Sequence, residues 1–228
     1  MNSPPSPPAI IIGATGGIGA ALAARLGAAG QRVLCLGRTT MPPLDLLDEA
    51  SIAAAAEAAG DVLELVIDAT GFLHGAGFQP EKSLRQLDPA HLAHAFAINA
   101  TGPALLMKHF LPRLARDRRA VFATLSARVG SISDNRLGGW YAYRAAKAAL
   151  NQLVHTAAIE LARSRPKAVC VALHPGTVET GLSTPFAKSG LEVQSPDEAA
   201  GKLLAVIDSL TPARTGELID HNGLTIPF

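Results

Sequence analysis

Hydrophobic positions along the chain fall into short, nearly unbroken runs. Ala9–Ile12, Arg32–Gly37, Val62–Asp68, Ala120–Leu125 and Ala168–Leu173 are each mostly apolar over four to seven residues, and Glu217–Asp220 holds Leu218-Ile219 between two acids. Runs of that length, closed by glycine or polar residues, predict strands buried on both faces. Between them apolar residues recur at helical spacing, which predicts helices over 17–29, 49–59, 88–116, 141–163 and 196–210, with a short one over 80–87. Asp88-Pro89 supplies an N-cap and an N1 proline, and Ser195-Pro196-Asp197-Glu198 adds the early acids of a helix start. Asp48 fits the cap of the 49–59 helix. Pro112 is expected to kink or end the regular part of its helix. Strands alternating with helices predict an α/β fold, a parallel sheet covered on both faces.

Composition narrows this picture only a little. With 228 residues, 48% of them hydrophobic, there is ample material for a core, and with no repeat or linker we read one domain over 9–228. A formal charge of +1 gives no basic excess for nucleic acid. Cys35 and Cys170 lie inside apolar runs and read as reduced core thiols. No run reaches the ~20 apolar residues of a membrane span. Residues 1–8, with four prolines and no basic start, read as a disordered lead rather than a signal peptide. The expectation is a soluble, cytoplasmic protein with no nucleic-acid or membrane partner. No histidine shows metal-ligand spacing, so no metal is expected.

The candidate chemistry sits where strands end. Gly13, Ala14, Thr15, Gly16, Gly17, Ile18 and Gly19 join the first strand to the first helix. Glycines there permit a tight turn and close approach of backbone to a pyrophosphate, which then sits at the helix N-terminus. The second strand ends at Gly37-Arg38 without a carboxylate for a ribose hydroxyl. A guanidinium at that place suits a 2′-phosphate, which favours NADP(H) over NAD(H). Asp45, followed by Leu46, is a candidate for the adenine amino group. Ala69-Thr70-Gly71 makes a turn that allows close approach to the cofactor. Asn99 is an unfavourable residue in mid-helix and so a candidate for function. Tyr143 and Lys147 stand four apart, on one face of a helix. An ammonium beside a phenol favours the phenolate, making the pair a candidate proton donor. Residues 181–194, with Leu182, Pro185, Phe186 and Leu191, read as a substrate loop with an apolar lining.

With these motifs in hand, the chain resembles the short-chain dehydrogenase/reductase family along essentially its whole length from Ala9. Gly13-x3-Gly17-x-Gly19 is similar to the family's cofactor loop, Asp68-Ala69-Thr70-Gly71 partly to its Asn-Asn-Ala-Gly run, and Tyr143-x3-Lys147 to its active-site pair. Pro175, Gly176, Val178 and Thr180 are similar to the segment that holds the nicotinamide carboxamide. The stretch from Gly130 to Arg144 and the Leu-His-Pro-Gly run resemble the C-factor and sniffer-like carbonyl reductase branch. The resemblance implies a doubly wound, Rossmann-like, mostly parallel seven-stranded sheet and NADPH-dependent carbonyl reduction, reversible to alcohol oxidation. It implies Tyr143 as acid and Lys147 as the group that lowers its pKa. It implies that Asn99 holds a water in a relay behind Lys147, that Asp45 meets the adenine, and that helices 88–116 and 141–163 pair in a homodimer or homotetramer. One departure stands out. Three positions before Gly130, where the family usually has its catalytic serine, this chain has Ala127. Ser126 and Ser131 are the alternatives, and Ser126 is preferred to orient the carbonyl. That departure also motivates a second reading, an NADP-binding regulatory or signalling protein of the same fold with little turnover.

Overall fold

The computed structural model describes residues 6–75, 77–183 and 193–228. Strands β1 (Ala9–Ile12), β2 (Val33–Leu36), β3 (Leu65–Asp68), β4 (Ala120–Leu125) and β5 (Ala168–His174) run parallel in one sheet with β8 (Leu218–Asp220), and β9 (Thr225–Ile226) adds antiparallel to its edge. The order is β2-β1-β3-β4-β5-β8-β9. The order reverses beside β1, between β2 and β3, and open parallel sheets place ligands at such a point, outside the strands' carboxyl ends. A separate two-stranded pair joins β6 (Thr177–Val178) to β7 (Val193–Gln194).

Both faces of the sheet are covered. Helices α2 (Glu49–Ala59), α4 (Gly102–Phe110) and α5 (Tyr141–Ser164) bury Ile10, Ile12, Val66, Phe122 and Cys170 on one face. Helices α1 (Gly17–Ala28) and α6 (Pro196–Ser209) bury Ile11, Ile67, Val121, Val169 and Ile219 on the other. Consecutive residues of one strand thus enter opposite cores, which is why the strands carry no polar alternation. Burial also pushes the Cys170 thiol up to about 12, so it stays a protonated core residue. Among the described residues no helix is long and apolar enough to cross a membrane.

Three expectations need correction. The helix expected over 80–87 is a single 3₁₀ turn, Leu84–Gln86, closed by a Ser83/Gln86 capping box. The helix expected over 88–116 is not continuous. It runs as α3 (Pro89–Phe96), then a π turn over Ala97–Thr101 around Asn99, then α4, and it tightens to 3₁₀ at Leu111–Arg113, where Pro112 lacks the N–H to continue. The strand expected from Val62 begins at Leu65, because Leu63 pairs in an isolated bridge with Leu114 instead. The cap residues behave as their chemistry requires: Asp48 accepts from Ala50 N and Asp88 from Ala90 N.

The start of α6 is the most fully capped. Ser195 Oγ accepts from Glu198 N, and Glu198 Oε2 accepts from Ser195 N at 2.8 Å. Arg25 of α1 grips Asp197 through Nε and Nη2, each at 2.7 Å, and so ties α1 to α6. Ser195→Ala is expected to lower stability by about 1 kcal/mol. For a chain of this length that is a fall of about 2–4 °C in thermal midpoint, measurable by calorimetry.

Candidate active site

A cleft of about 300 Å³ opens above the carboxyl ends of β1, β3, β4 and β5. Its lining comes from five separate parts of the chain, all singled out by the sequence: Gly16, Gly17 and Ile18; Ala69, Thr70 and Gly71; Ser126; Tyr143 and Lys147; Pro175 and Thr180. Leu125, with Gly181 and Leu182 at the start of the expected substrate loop, completes it. Residues 184–192 of that loop, with Pro185, Phe186 and Leu191, lie outside the described residues, as do residues 1–5 of the expected lead.

The glycine loop is built by close approach. Gly13 takes φ +79°. A Cβ on Gly19 would lie 2.2 Å from Gly13 O, and one on Gly17 would lie 2.9 Å from Thr180 Cγ2. Gly16 caps α1 in extended conformation, with no side-chain cap and no acid in the first turn. The helix N-terminus therefore brings no anion of its own to its unpaired N–H groups, which fits a bound phosphate. Thr15 reaches toward Gly37 at the end of β2, and Arg38 is exposed there with no ion pair among the described residues. Asp45 Oδ1 accepts from Leu47 N, and Leu46 packs where a Cβ on Gly102 would lie 2.8 Å from it.

Gly71 and Phe72 are fixed by Asn99. Its Oδ1 accepts from Phe72 N at 2.9 Å and its Nδ2 donates to Phe72 O at 2.7 Å. The unfavourable mid-helix asparagine is thus explained locally: it clamps the turn after β3 to the π turn. Gly176 takes φ +80° against Gln194 and His221, and Val178 is buried in β6. These two support Pro175 and Thr180 from behind.

Lys147 is 2% exposed, and its Nζ donates to Leu125 O at 2.8 Å. Burial lowers its pKa to about 8, opposed by the charge of Asp68. Asp68 is itself fully buried at the end of β3, accepting from Thr70 N, Thr70 Oγ1 and Thr124 Oγ1. Burial raises its pKa while those donors and Lys147 lower it. Lys147 Nζ lies 5.9 Å from the centre of the Tyr143 ring. The expected acidification of Tyr143 does not hold for the protein by itself. Burial pushes the phenol up to about 12, because a buried phenolate loses its water.

Ser126 lines the cleft, and Ser131 is not among its lining residues. Ser131 Oγ instead accepts from Asp134 N in the following loop. Ser126 is not free to orient a carbonyl as expected, since its hydroxyl donates to Asn151 Oδ1 at 2.7 Å. Sequence reasoning missed Asn151 and Asp68. The signal for Asn151 was its place one turn beyond Lys147 on the face of Tyr143. That for Asp68 was a lone carboxylate closing an apolar strand two residues before a threonine.

The N-terminus of α5, which carries Tyr143, is anchored from three sides. Glu81 Oε2 accepts from Ala142 N, Glu81 O accepts from Trp140 N, and the Glu81 carboxylate lies 3.0 Å from His91 Nδ1. Arg144 donates to the carbonyls of Val129, Gly138 and Gly139. Gly138, Gly139 and Trp140 all take positive φ, a sharp turn these bonds hold in place.

Known proteins are similar to this chain in sequence and in fold. A sequence model of the family described as short chain dehydrogenase matches residues 8–190. C-signal from Myxococcus xanthus is 38% identical over 147 residues, 64% of this chain and 84% of that protein. A 1-hydroxy-2-glutathionyl-2-methyl-3-butene dehydrogenase from Rhodococcus sp. (strain AD45) is 29% identical over 94% of this chain and 96% of its own. Among solved structures, an NADPH-bound carbonyl reductase from chicken fatty liver superposes with TM-score 0.84 at 24% identity, covering 99% of this chain and all of that one. The carbonyl reductase Sniffer of D. melanogaster superposes with TM-score 0.82 at 20% identity, covering 98% and 100%.

Proposed function

Because the chain belongs to the short-chain dehydrogenase family, we propose that it reduces a carbonyl to an alcohol, reversibly, with NADPH as cofactor and Tyr143 as proton donor. The observation that carries the reading is the convergence of Tyr143, Lys147, the glycine loop and Pro175-Thr180 on one cleft at the strand ends. The glycine cradle that side chains would fill, above a helix N-terminus without its own acid, fits a dinucleotide pyrophosphate. Gly13, Thr15, Gly16, Gly17, Ile18 and Gly19 would hold the phosphates. Arg38 would hold the 2′-phosphate, with Asp45 and Leu46 toward the adenine. Ala69, Thr70, Gly71, Pro175, Gly176, Val178 and Thr180 would flank the nicotinamide half. When bound, the cofactor supplies the hydride.

The chain's own residues manage the proton. Tyr143 donates to the developing alkoxide. Lys147, held by Leu125 O, supplies positive charge beside the phenolate that forms. Asp68 keeps that ammonium charged against burial. Asn99 fixes Gly71-Phe72, and we place the relay water behind Lys147 near it. The test is NADPH oxidation over a panel of ketones and aldehydes. No turnover across a broad panel, together with NADP binding in a thermal-shift assay, would favour the second reading, a regulatory protein. Ala127 and the commitment of the Ser126 proton to Asn151 are what motivate that reading.

Two further outcomes are expected. Arg38→Ala removes a charge-assisted contact of about 1.5–3 kcal/mol, so KM for NADPH should rise about 10- to 100-fold while KM for NADH barely moves. Steady-state kinetics with both cofactors check it. Since Tyr143 stays protonated until about 12, a basic limb in kcat/KM must come from another group. Lys147 is cationic below its pKa of about 8 and loses its charge above it, so the rate should fall as pH rises through 8. A profile flat to pH 10 would remove the ammonium from the mechanism. For assembly we propose a homodimer or homotetramer through the α4–α5 face, where Met107, Leu111, Leu153 and Leu161 line a groove of about 410 Å³.

A further inference from the structure

Tyr143, Lys147 and Asn151 succeed one another at four-residue steps along one face of α5. The first two line the cleft. Asn151 lies behind them, 2% exposed, and its Oδ1 accepts the hydroxyl proton of Ser126 at 2.7 Å. Its Nδ2 has no hydrogen-bond partner among the described residues. A buried amide with one unpaired donor is an expensive choice for packing alone, since an apolar residue would fill the place without that penalty. A serine hydroxyl has one proton and two lone pairs. With the proton given to Asn151, whatever Ser126 offers the cleft is an acceptor. An acceptor cannot polarise a carbonyl oxygen. It can receive a hydrogen bond from a donor on the substrate.

We infer that Asn151 is a positioning residue that turns Ser126 into an acceptor, and that the site therefore prefers carbonyl substrates bearing a hydroxyl or N–H donor beside the carbonyl. The inference rests on the carbonyl-reductase reading above. Its chemistry is recognition alone; the donor keeps its proton, and no bond to carbon changes beyond the reduction already described.

The experiment compares kcat/KM for 3-hydroxy-2-butanone and for 2-butanone, which lacks the hydroxyl. The wild type should favour the hydroxyketone about tenfold, the factor one well-made hydrogen bond supplies. Ser126→Ala should bring the ratio close to one. Asn151→Leu should do the same although Ser126 is intact, because the freed hydroxyl then donates. The double variant should match either single variant. Asn151→Asp keeps an oxygen in the same place and should retain the ratio, even where its overall rate falls. That variant also covers the case in which Asn151→Leu fails to fold. A wild type without preference, or a ratio that survives Asn151→Leu, overturns the inference. So does loss of the ratio in Asn151→Asp. An equal loss on both ketones in Asn151→Leu makes Asn151 merely structural and overturns it too. The wild-type rates separate the two levels: if neither ketone is turned over, the carbonyl-reductase reading fails, whereas if both are turned over and Tyr143→Phe abolishes the rate, that reading stands and only the selectivity is in question.

Discussion

Tyr143→Phe should reduce the rate of carbonyl reduction by about 10²–10⁴-fold while leaving NADPH binding unchanged. The substitution removes one oxygen from a half-buried ring that also meets Trp140 edge-on, with ring centres 6.3 Å apart, so packing is preserved. What is lost is the proton donor. A phenol pushed up to about 12 is fully protonated at neutral pH, so the donor is always loaded. The remaining question is how the phenolate left behind is tolerated. Burial opposes that anion. Lys147, with its Nζ 5.9 Å from the ring centre, is the positive charge at hand as the proton leaves. The loss should appear in kcat and kcat/KM together, because the interaction exists only in the transition state. Stopped-flow NADPH oxidation gives the rate, and cofactor fluorescence gives the affinity. Equal rates in the two proteins would take Tyr143 out of the chemistry.

This division of labour marks how far the sequence could be read. The strands were legible because a strand buried on both faces must be apolar throughout, and Ile10-Ile11-Ile12 or Val169-Cys170-Val171 admit no other face pattern. Helix starts were legible where a side chain caps them, as at Asp48, Asp88 and Ser195. The seventh strand, β9, escaped because two residues carry no period. The π turn escaped although Gly102-Pro103 follows it directly: Pro103 has no N–H to donate to the carbonyl of Asn99, and the chain answers with a wider turn instead of a break. In the site, residue types and spacing were enough to bring Tyr143, Lys147, Ser126 and the glycine loop to one cleft. The direction of the Tyr143 shift was not accessible, since it depends on burial, and burial depends on the whole fold. Nor was the orientation of the Ser126 hydroxyl, which is set by a residue 25 positions away.

The glycine loop offers a test of the scaffold itself, by two substitutions of the same chemistry. Gly19→Ala should destabilise the protein by at least about 1–3 kcal/mol and weaken cofactor binding severely, whereas Gly27→Ala in the same helix should be neutral or stabilising. A Cβ at Gly19 would stand 2.2 Å from Gly13 O, 2.8 Å from Gly13 C and 3.1 Å from Ala14 Cα. All three are backbone atoms of the turn, so none can swing aside as a side-chain tip would. Gly13 O is also the acceptor for Gly16 N at 3.0 Å, so displacing it disturbs the bond that shapes the cradle. The helix must move away from β1 or the turn must open, and either shifts the N–H groups that would face the phosphates. At Gly27 a Cβ meets nothing within 4 Å, and the residue is exposed near the end of α1. Alanine there lowers the entropy of the unfolded chain at no steric penalty, a gain of about 0.4–1 kcal/mol. Chemical denaturation of both variants gives the stabilities, and NADPH titration gives the affinities. If Gly19→Ala bound cofactor as tightly as the wild type, the close approach of α1 to the first strand would not be what forms the cofactor cradle.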